Sequence, residues 1–345
     1  MGSPTDTSPR RPLVVGADIG GTSTRVVLAS DEGELLGRGT AGPANPTANT
    51  WDRAGAAISS ALSQALGDRD PAQVRAAVLG VAGGGALAGS RLAEPFRKLW
   101  TASGIGAPPA IVGDLDVAFT GATARPDGTV LIAGTGAVAG AIRGHTAVRM
   151  ADGHGWLLGD AGSGFWLGRE AVGATLRELD AGGPLSRLGE SVVQSVLSVD
   201  EDDDEVDDEE DAAVATPAET RVRVIGRVYR RRPQELARLA PLVSAAAGAG
   251  DPVAREIVRR AAEALLRTVG RCRAPDERTP LVLAGSVLGR ASAVGAVVRD
   301  LVGEQLAGPV LDAGDGARGA AWLAIRRLVG DPDALRAAHE RLTSS

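Results

Sequence analysis

Between residues 13 and 40 the chain passes through three short apolar stretches separated by two turn-forming ones. Leu13–Asp18 (LVVGAD), Arg25–Ser30 (RVVLAS) and Glu34–Thr40 (ELLGRGT) predict strands, with turns at Gly20-Gly21-Thr22-Ser23 and Asp31-Glu32-Gly33. Strands joined this tightly form an antiparallel meander. From Thr50 to Leu66 the apolar positions Ala54, Ala57, Ile58, Ala61, Leu62 and Ala65 fall near helical spacing. Strand Val74–Val81, helix Ser90–Thr101, strand Ala110–Gly113 and helix Leu115–Thr123 follow, so the order reads βββαβαβα.

The pattern starts again at Thr129. Thr129–Ala133, Val138–Ile142 and Thr146–Met150 predict three more strands, again with a glycine-rich first turn, Gly134-Thr135-Gly136. Helices are expected over Gly164–Leu179, Pro184–Leu197, Pro233–Ala247, Pro252–Arg271 and Arg290–Leu301, with strand Leu281–Ala284 between the last two. Two such units form an internal repeat. A duplicated α/β unit of this kind implies two lobes and a central inter-lobe cleft, the usual place for a ligand. The expected division gives residues 13–122, with a C-terminal helix over 331–345, to a small lobe and 123–330 to a larger one. Residues 1–12 are expected to be a disordered tail.

One stretch departs from the pattern. Asp200 to Asp211 is acidic at every position except Val206, and six arginines lie between Arg221 and Arg232. A block this dense repels itself, so 198–220 reads as a solvated loop insertion. Docking on the arginine cluster to pair subunits in a homodimer is the alternative.

Composition narrows the function classes. At 345 residues the chain has room for two cores, and with 3% aromatics those cores must be built from Ala, Val, Leu and Gly. A net charge of −6 argues against nucleic-acid binding. One cysteine, Cys272, excludes an internal disulfide and any zinc or iron–sulfur site needing two cysteines from the chain. The polar start offers no signal peptide and no apolar run is long enough to span a membrane, which makes the cytoplasm the expectation.

The chemistry concentrates at the two glycine turns. Gly20 and Gly21 let a backbone approach a polyphosphate, Thr22 and Ser23 add hydroxyls, and Asp18 at the strand end can hold hydrated Mg²⁺. A plain hairpin turn is the bland reading. The second turn at Gly134-Thr135-Gly136 argues for two turns gripping phosphates from opposite sides. Neither matches the lysine-bearing P-loop, since Lys98 is the only lysine.

DIGGTSTR, VGDLDVAFTGAT, LIAGTGAVAG, GWLLGDAGSGFWLGREAV and LVLAGSVL stand in the order and spacing of the N-acetylglucosamine kinase-like branch of the actin–hexokinase superfamily. The resemblance runs from about Leu13 to Leu328, apart from the acidic insertion. It implies a two-lobed, actin-like (ribonuclease H-like) α/β fold and ATP-dependent, Mg²⁺-assisted phosphorylation of a sugar 6-hydroxyl. By position it makes Asp114 the catalytic base, with Asp116 the rival and a helix cap the structural alternative. It assigns Asn45, Asp160, Gly153 and Thr135 to the sugar, and Gly285-Ser286 to the turn beneath adenosine. Asx-turn and helix-cap roles remain the alternatives for Asn45 and Asp160.

The departures bear on the substrate. Ala137 and Val138 replace polar residues common after the second turn. Asp152-Gly153-His154-Gly155-Trp156 stands where relatives have Gly-Gly-Trp-Gly, and Ala161 replaces a glutamate. These variants resemble glucosamine kinases, and Asp152 is expected to attract the glucosamine ammonium. D-glucosamine is therefore the expected substrate, with N-acetylglucosamine the alternative and a non-catalytic sugar sensor the reading from another class. Dehydratase-activating ATPases of the same branch need two cysteines per chain for their cluster and are excluded.

Overall fold

The computed structural model describes residues 11–44, 51–83, 94–198 and 216–344. Asn45, the acidic block and most of the expected N-terminal tail lie outside them. The described chain forms two compact units, one comprising 1–130, 142–148 and 311–345 and the other 131–141 and 149–310.

In the first unit β1 (Leu13–Ile19), β2 (Thr24–Ser30) and β3 (Leu35–Ala41) form the expected meander, followed by α1 (Trp51–Leu66). Next come β4 (Val74–Val81), α2 (Glu94–Ala102), β5 (Pro109–Gly113) and α3 (Asp114–Ala122). The sheet order is β3-β2-β1-β4-β5, with β1–β2 and β2–β3 antiparallel and β1–β4 and β4–β5 parallel. Central β1 is buried on both faces, so its sequence reads as a continuous apolar run. Leu13, Val15, Ala17 and Ile19 enter one core with residues of α1 and α2. Val14 enters a second, with residues of α3 and of two later helices, α10 (Gly316–Ile325) and α11 (Pro332–Ser344). The period of two therefore puts Gly16 and Asp18 on the same side as Val14. A Cβ on Gly16 would lie 2.1 Å from the Ala321 nitrogen, so α10 lies directly on β1.

The second unit draws on β6 (Gly128–Ala133), β7 (Ala137–Arg143), β8 (Thr146–Asp152), β9 (Leu281–Ala284) and β10 (Val310–Asp312), in the order β10-β9-β6-β7-β8. Read from β8, this repeats the order of the first sheet, and the repeat read from the sequence is a repeat of topology. Around it lie α4 (Gly164–Ala181), α5 (Arg187–Leu197), α6 (Pro217–Arg230), α7 (Ala240–Gly248), α8 (Pro252–Gly270) and α9 (Ala293–Gln305). The core is built of small aliphatic side chains, as the shortage of aromatics requires. The fully buried guanidinium of Arg273 donates to the carbonyls of Glu277, Thr279 and Ala307, each at 2.6 Å, and so ties down the approach to β9.

Three elements were not read from the sequence. Helix α6 begins inside the stretch expected to be loop. Its start was nonetheless legible: Thr216, Pro217 and Glu219 form a capping box with proline at the first turn. Its many arginines hid it, because Val224 is its one fully buried residue. Strand β10 is only three residues long. Helix α10 is rich in alanine and glycine rather than large apolar residues, and it packs in the first unit, whereas the sequence pattern places its residues in the larger lobe. The stretch expected as one helix over Pro233–Ala247 is a 3₁₀ turn, Pro233–Leu239, followed by α7. Among the described residues no helix is long and apolar enough to cross a membrane.

Candidate active site

In the first unit the chemistry gathers at the carboxyl ends of the parallel strands, where open α/β sheets place ligands. Asp18 of β1 pairs in register with Gly80 of β4, and Gly80 with Val112 of β5. A Cβ on Gly80 would meet the Val117 side chain at 2.5 Å, which is how closely α3 covers this point. Asp114 is the first residue of that helix. The α10 N-terminus arrives from the other side, where a Cβ on Gly316 would lie 2.7 Å from Asp18 Oδ2. Glycines 121, 314 and 319 allow this approach, since a Cβ on Gly319 would fall 2.2 Å from the Val117 carbonyl. Arg25 lies 3.7 Å from Asp18 and 3.9 Å from Asp315, the residue that caps α10. Neither Arg25 nor Asp315 was singled out from the sequence, because Asp315 reaches Asp18 only through the packing of α10.

The two aspartates of α3 differ in their surroundings. Asp116 is buried, and both its oxygens are occupied: the Gly113 amide donates to Oδ2 at 3.1 Å and the Ala147 amide to Oδ1 at 2.7 Å. Asp114 is half-buried, and its one hydrogen bond from another described residue comes from the adjacent Leu115 amide, at 3.1 Å. Burial raises the Asp114 carboxyl to about 6, and the nearby charges of Asp18 and Asp116 push the same way. Burial also raises Asp18, with Arg25 opposing it. The phosphate-turn candidates lie beside this group: Gly21 and Thr22 are exposed, and the Gly20 amide donates to the Ser23 carbonyl at 3.0 Å. The Ala44 amide donates to the Gly20 carbonyl, which brings the end of this described segment to the turn.

In the second unit the Gly134-Thr135-Gly136 turn sits against the N-terminus of α4. The Gly164 and Phe165 amides donate to the Gly134 and Thr135 carbonyls at 2.7 and 3.2 Å. Asp160 has a left-handed backbone (φ 58°) and is buried, with the Ala137 amide donating to its Oδ1 at 3.1 Å. A Cβ on Gly136 would come within 2.8 Å of its other oxygen. Burial raises Asp160, and the charge of Asp152 adds to this. Aspartate, with its short polar side chain, takes this left-handed conformation more readily than most residues.

Asp152, expected to attract a substrate ammonium, lies beside the Asp160 turn. It too is left-handed (φ 64°), and its carboxylate is engaged by neighbouring main-chain amides. The Asp160 amide donates to Oδ1 at 2.8 Å, the Ala161 amide to Oδ2 at 3.3 Å, and the side chain is 7% exposed. Asp152 is thus a clasp that shapes the Asp160 turn. Gly153, also left-handed, donates its amide to the Ala137 carbonyl at 2.9 Å and closes the same loop.

Gly285 follows β9 with φ 93°. A cavity of about 460 Å³ links its neighbour Ser286 to Gly134 and Thr135, with Ala240 and Ser244 of α7 in its wall. The α7 wall carried no sequence signal, because alanine and serine on a helix are ordinary. The volume lies within the ~300–1,000 Å³ range of ligand pockets.

The profile of the BadF/BadG/BcrA/BcrD ATPase family matches residues 15–324. The chain is 24% identical over 260 residues to the N-acetylmuramic acid/N-acetylglucosamine kinase of Clostridium acetobutylicum, covering 74% of this chain and 78% of that one. It is similar in structure to a protein of Chromobacterium violaceum provisionally named an N-acetylglucosamine kinase, with TM-score 0.68 and 26% identity over 92% of this chain and 100% of that one. The ROK family glucokinase of Streptomyces griseus, bound to glucose and AMPPNP, shares the fold at TM-score 0.52 and 19% identity, covering 91% and 99% of the two chains.

Proposed function

The chain belongs to the BadF/BadG/BcrA/BcrD ATPase family, and from that premise we propose that it is an ATP-dependent kinase of an N-acetylated amino sugar, with N-acetylglucosamine its substrate and the 6-hydroxyl its acceptor. The observation that carries this reading is Asp114. It is a half-buried carboxylate whose raised value near 6 leaves it charged, and basic, at neutral pH. In the reaction Asp114 takes the hydroxyl proton, the sugar oxygen bonds to the γ-phosphorus, and the bond to the departing ADP breaks. Such transfer depends mainly on positioning and charge stabilisation, so one oriented carboxylate suffices as base.

The nucleotide assignment rests on the cavity and its two tight turns, Gly134–Gly136 and Gly285-Ser286. Asp18 fits hydrated Mg²⁺: its carboxylate is 22% exposed, and burial raises it in the absence of a cation. Bound there, the cation would neutralise phosphate charge. An iron–sulfur ATPase does not fit. The one cysteine, Cys272, is buried 3.7 Å from the Ala139 carbonyl, and burial pushes its thiol up, away from the ligating thiolate.

The named relatives favour an N-acetylated sugar over the glucosamine expected from the sequence. Both Asp152 oxygens accept main-chain amides of the Asp160 turn, which also speaks against an ammonium contact there. Coupled-assay kcat/KM over a sugar panel should therefore favour N-acetylglucosamine over glucosamine by at least about tenfold. Preference for glucosamine would overturn the substrate, and no ADP release with any sugar would overturn the kinase.

Asp152→Gly tests the clasp separately. Glycine adopts a left-handed backbone without strain, but both acceptor oxygens disappear. We expect a stability loss of about 1–3 kcal/mol, and kcat/KM falling by similar factors for both sugars. A fall confined to glucosamine would restore the ammonium contact.

A further inference from the structure

The cavity of the second unit starts at the phosphate turn and runs past Ser286 and Val287 to α7. Its polar side chains are all hydroxyls, those of Thr135, Ser244, Ser286 and Ser292. The rest of its wall is glycine, alanine, leucine, proline and valine. Among the described residues no carboxylate, carboxamide, imidazole, guanidinium or ammonium lines it.

Adenine and guanine differ on one edge. Adenine offers an amino donor where guanine offers a carbonyl acceptor. A fixed carboxylate accepts only, and an oriented carboxamide presents a donor and an acceptor in fixed places, so either tells the bases apart. A hydroxyl rotates, and can donate to one base or accept from the other. Ser292 already accepts from the Gly295 amide at 3.4 Å, which leaves its proton to donate. The apolar walls reward buried ring area, which the two purines share and a pyrimidine lacks.

Resting on the nucleotide assignment above, we propose that this cavity takes the purine of a nucleoside triphosphate without distinguishing adenine from guanine, so that GTP serves as phosphoryl donor nearly as well as ATP. A pocket built to hydrogen-bond a substrate group rejects an analogue lacking it by about 10⁴–10⁵. One net neutral hydrogen bond corresponds to only about a two- to tenfold difference. With hydroxyls as their only polar groups, the lining side chains put this site in the second regime.

Two measurements on the full chain test this. In the first, ADP, GDP and UDP displace a fluorescent ATP analogue. We expect ADP and GDP to agree within about tenfold and UDP to bind at least about tenfold more weakly. In the second, kcat/KM is compared for ATP, GTP and UTP with the preferred sugar, and the same order should appear. Discrimination of ATP over GTP above about 100-fold in both overturns the proposal. Displacement by both purine nucleotides without phosphorylation of any sugar would support the shared purine site while overturning the donor role together with the kinase reading. Ala245→Leu fills the exposed rim of the cavity. It should weaken ADP and GDP together by about tenfold with Tm unchanged. Unchanged binding in a folded Ala245→Leu variant means that the base sits elsewhere, and overturns the proposal.

Discussion

Asp114→Asn should lower kcat by about 10²–10⁴-fold, the usual contribution of a positioned general base, while leaving nucleotide binding close to wild type. The wild-type pH profile should show the cause. With the carboxyl near 6, activity rises with pH through about 6 and levels above it. The residual activity of Asp114→Asn should lack that limb. The stability effect has the opposite sign. A carboxyl raised from an ordinary 3.8 to about 6 contributes stability below 3.8 that is lost as pH rises through 6. At neutral pH the charged form therefore opposes folding. Its removal should stabilise the protein by about 1–2 kcal/mol, a value reduced from the full shift because the group is partly solvated. Thermal melting read beside kcat would then show a variant that is nearly inactive yet melts a few degrees higher.

Asp116→Asn should do the reverse. Its two oxygens accept from the Gly113 and Ala147 amides, and an asparagine must turn its NH₂ toward one of them. About 1–3 kcal/mol of stability should disappear with a much smaller loss of kcat. If Asp116→Asn proves the inactive, stable variant, the base has been assigned to the wrong aspartate.

Gly285→Ala should be the most damaging small substitution in the second unit. The residue sits at φ 93° and ψ 158°, a region that glycine alone adopts readily. The added Cβ would lie 2.2 Å from the Ala133 carbonyl oxygen and 2.6 Å from its carbon. Both are backbone atoms of β6 immediately before the Gly134 turn, so relief requires that turn to move. We expect a loss of at least about 3 kcal/mol, low soluble yield, and nucleotide binding at least about tenfold weaker in the protein that folds. Gly226→Ala is the control. It lies within α6 with nothing within 4 Å of the added carbon, and should stabilise by about 0.5–1 kcal/mol. A Gly285→Ala protein that melts and binds like wild type would show that the turn is not as tight as described.

Features governed by neighbours along the chain could be read without a structure. The meander, the Gly20 and Gly134 turns, strand Leu281–Ala284 and the repeat follow from short apolar runs and glycine placement over a few residues. The position of Asp114 at the start of α3 is equally local, because a strand ending in glycine followed by aspartate is a strand-to-helix junction. What each carboxylate does was decided elsewhere. Asp116 is committed by an amide 31 residues away, and Asp152 by amides in a turn eight and nine residues on. Spacing along the chain cannot distinguish a carboxylate claimed by such partners from one left open. Helix α10 completes the surroundings of Asp18 from nearly three hundred residues downstream, and α7 walls the cavity with residues that carry no signal of their own. Local geometry is encoded by adjacent residues, whereas the charge state and availability of a side chain depend on which distant backbone groups folding brings against it.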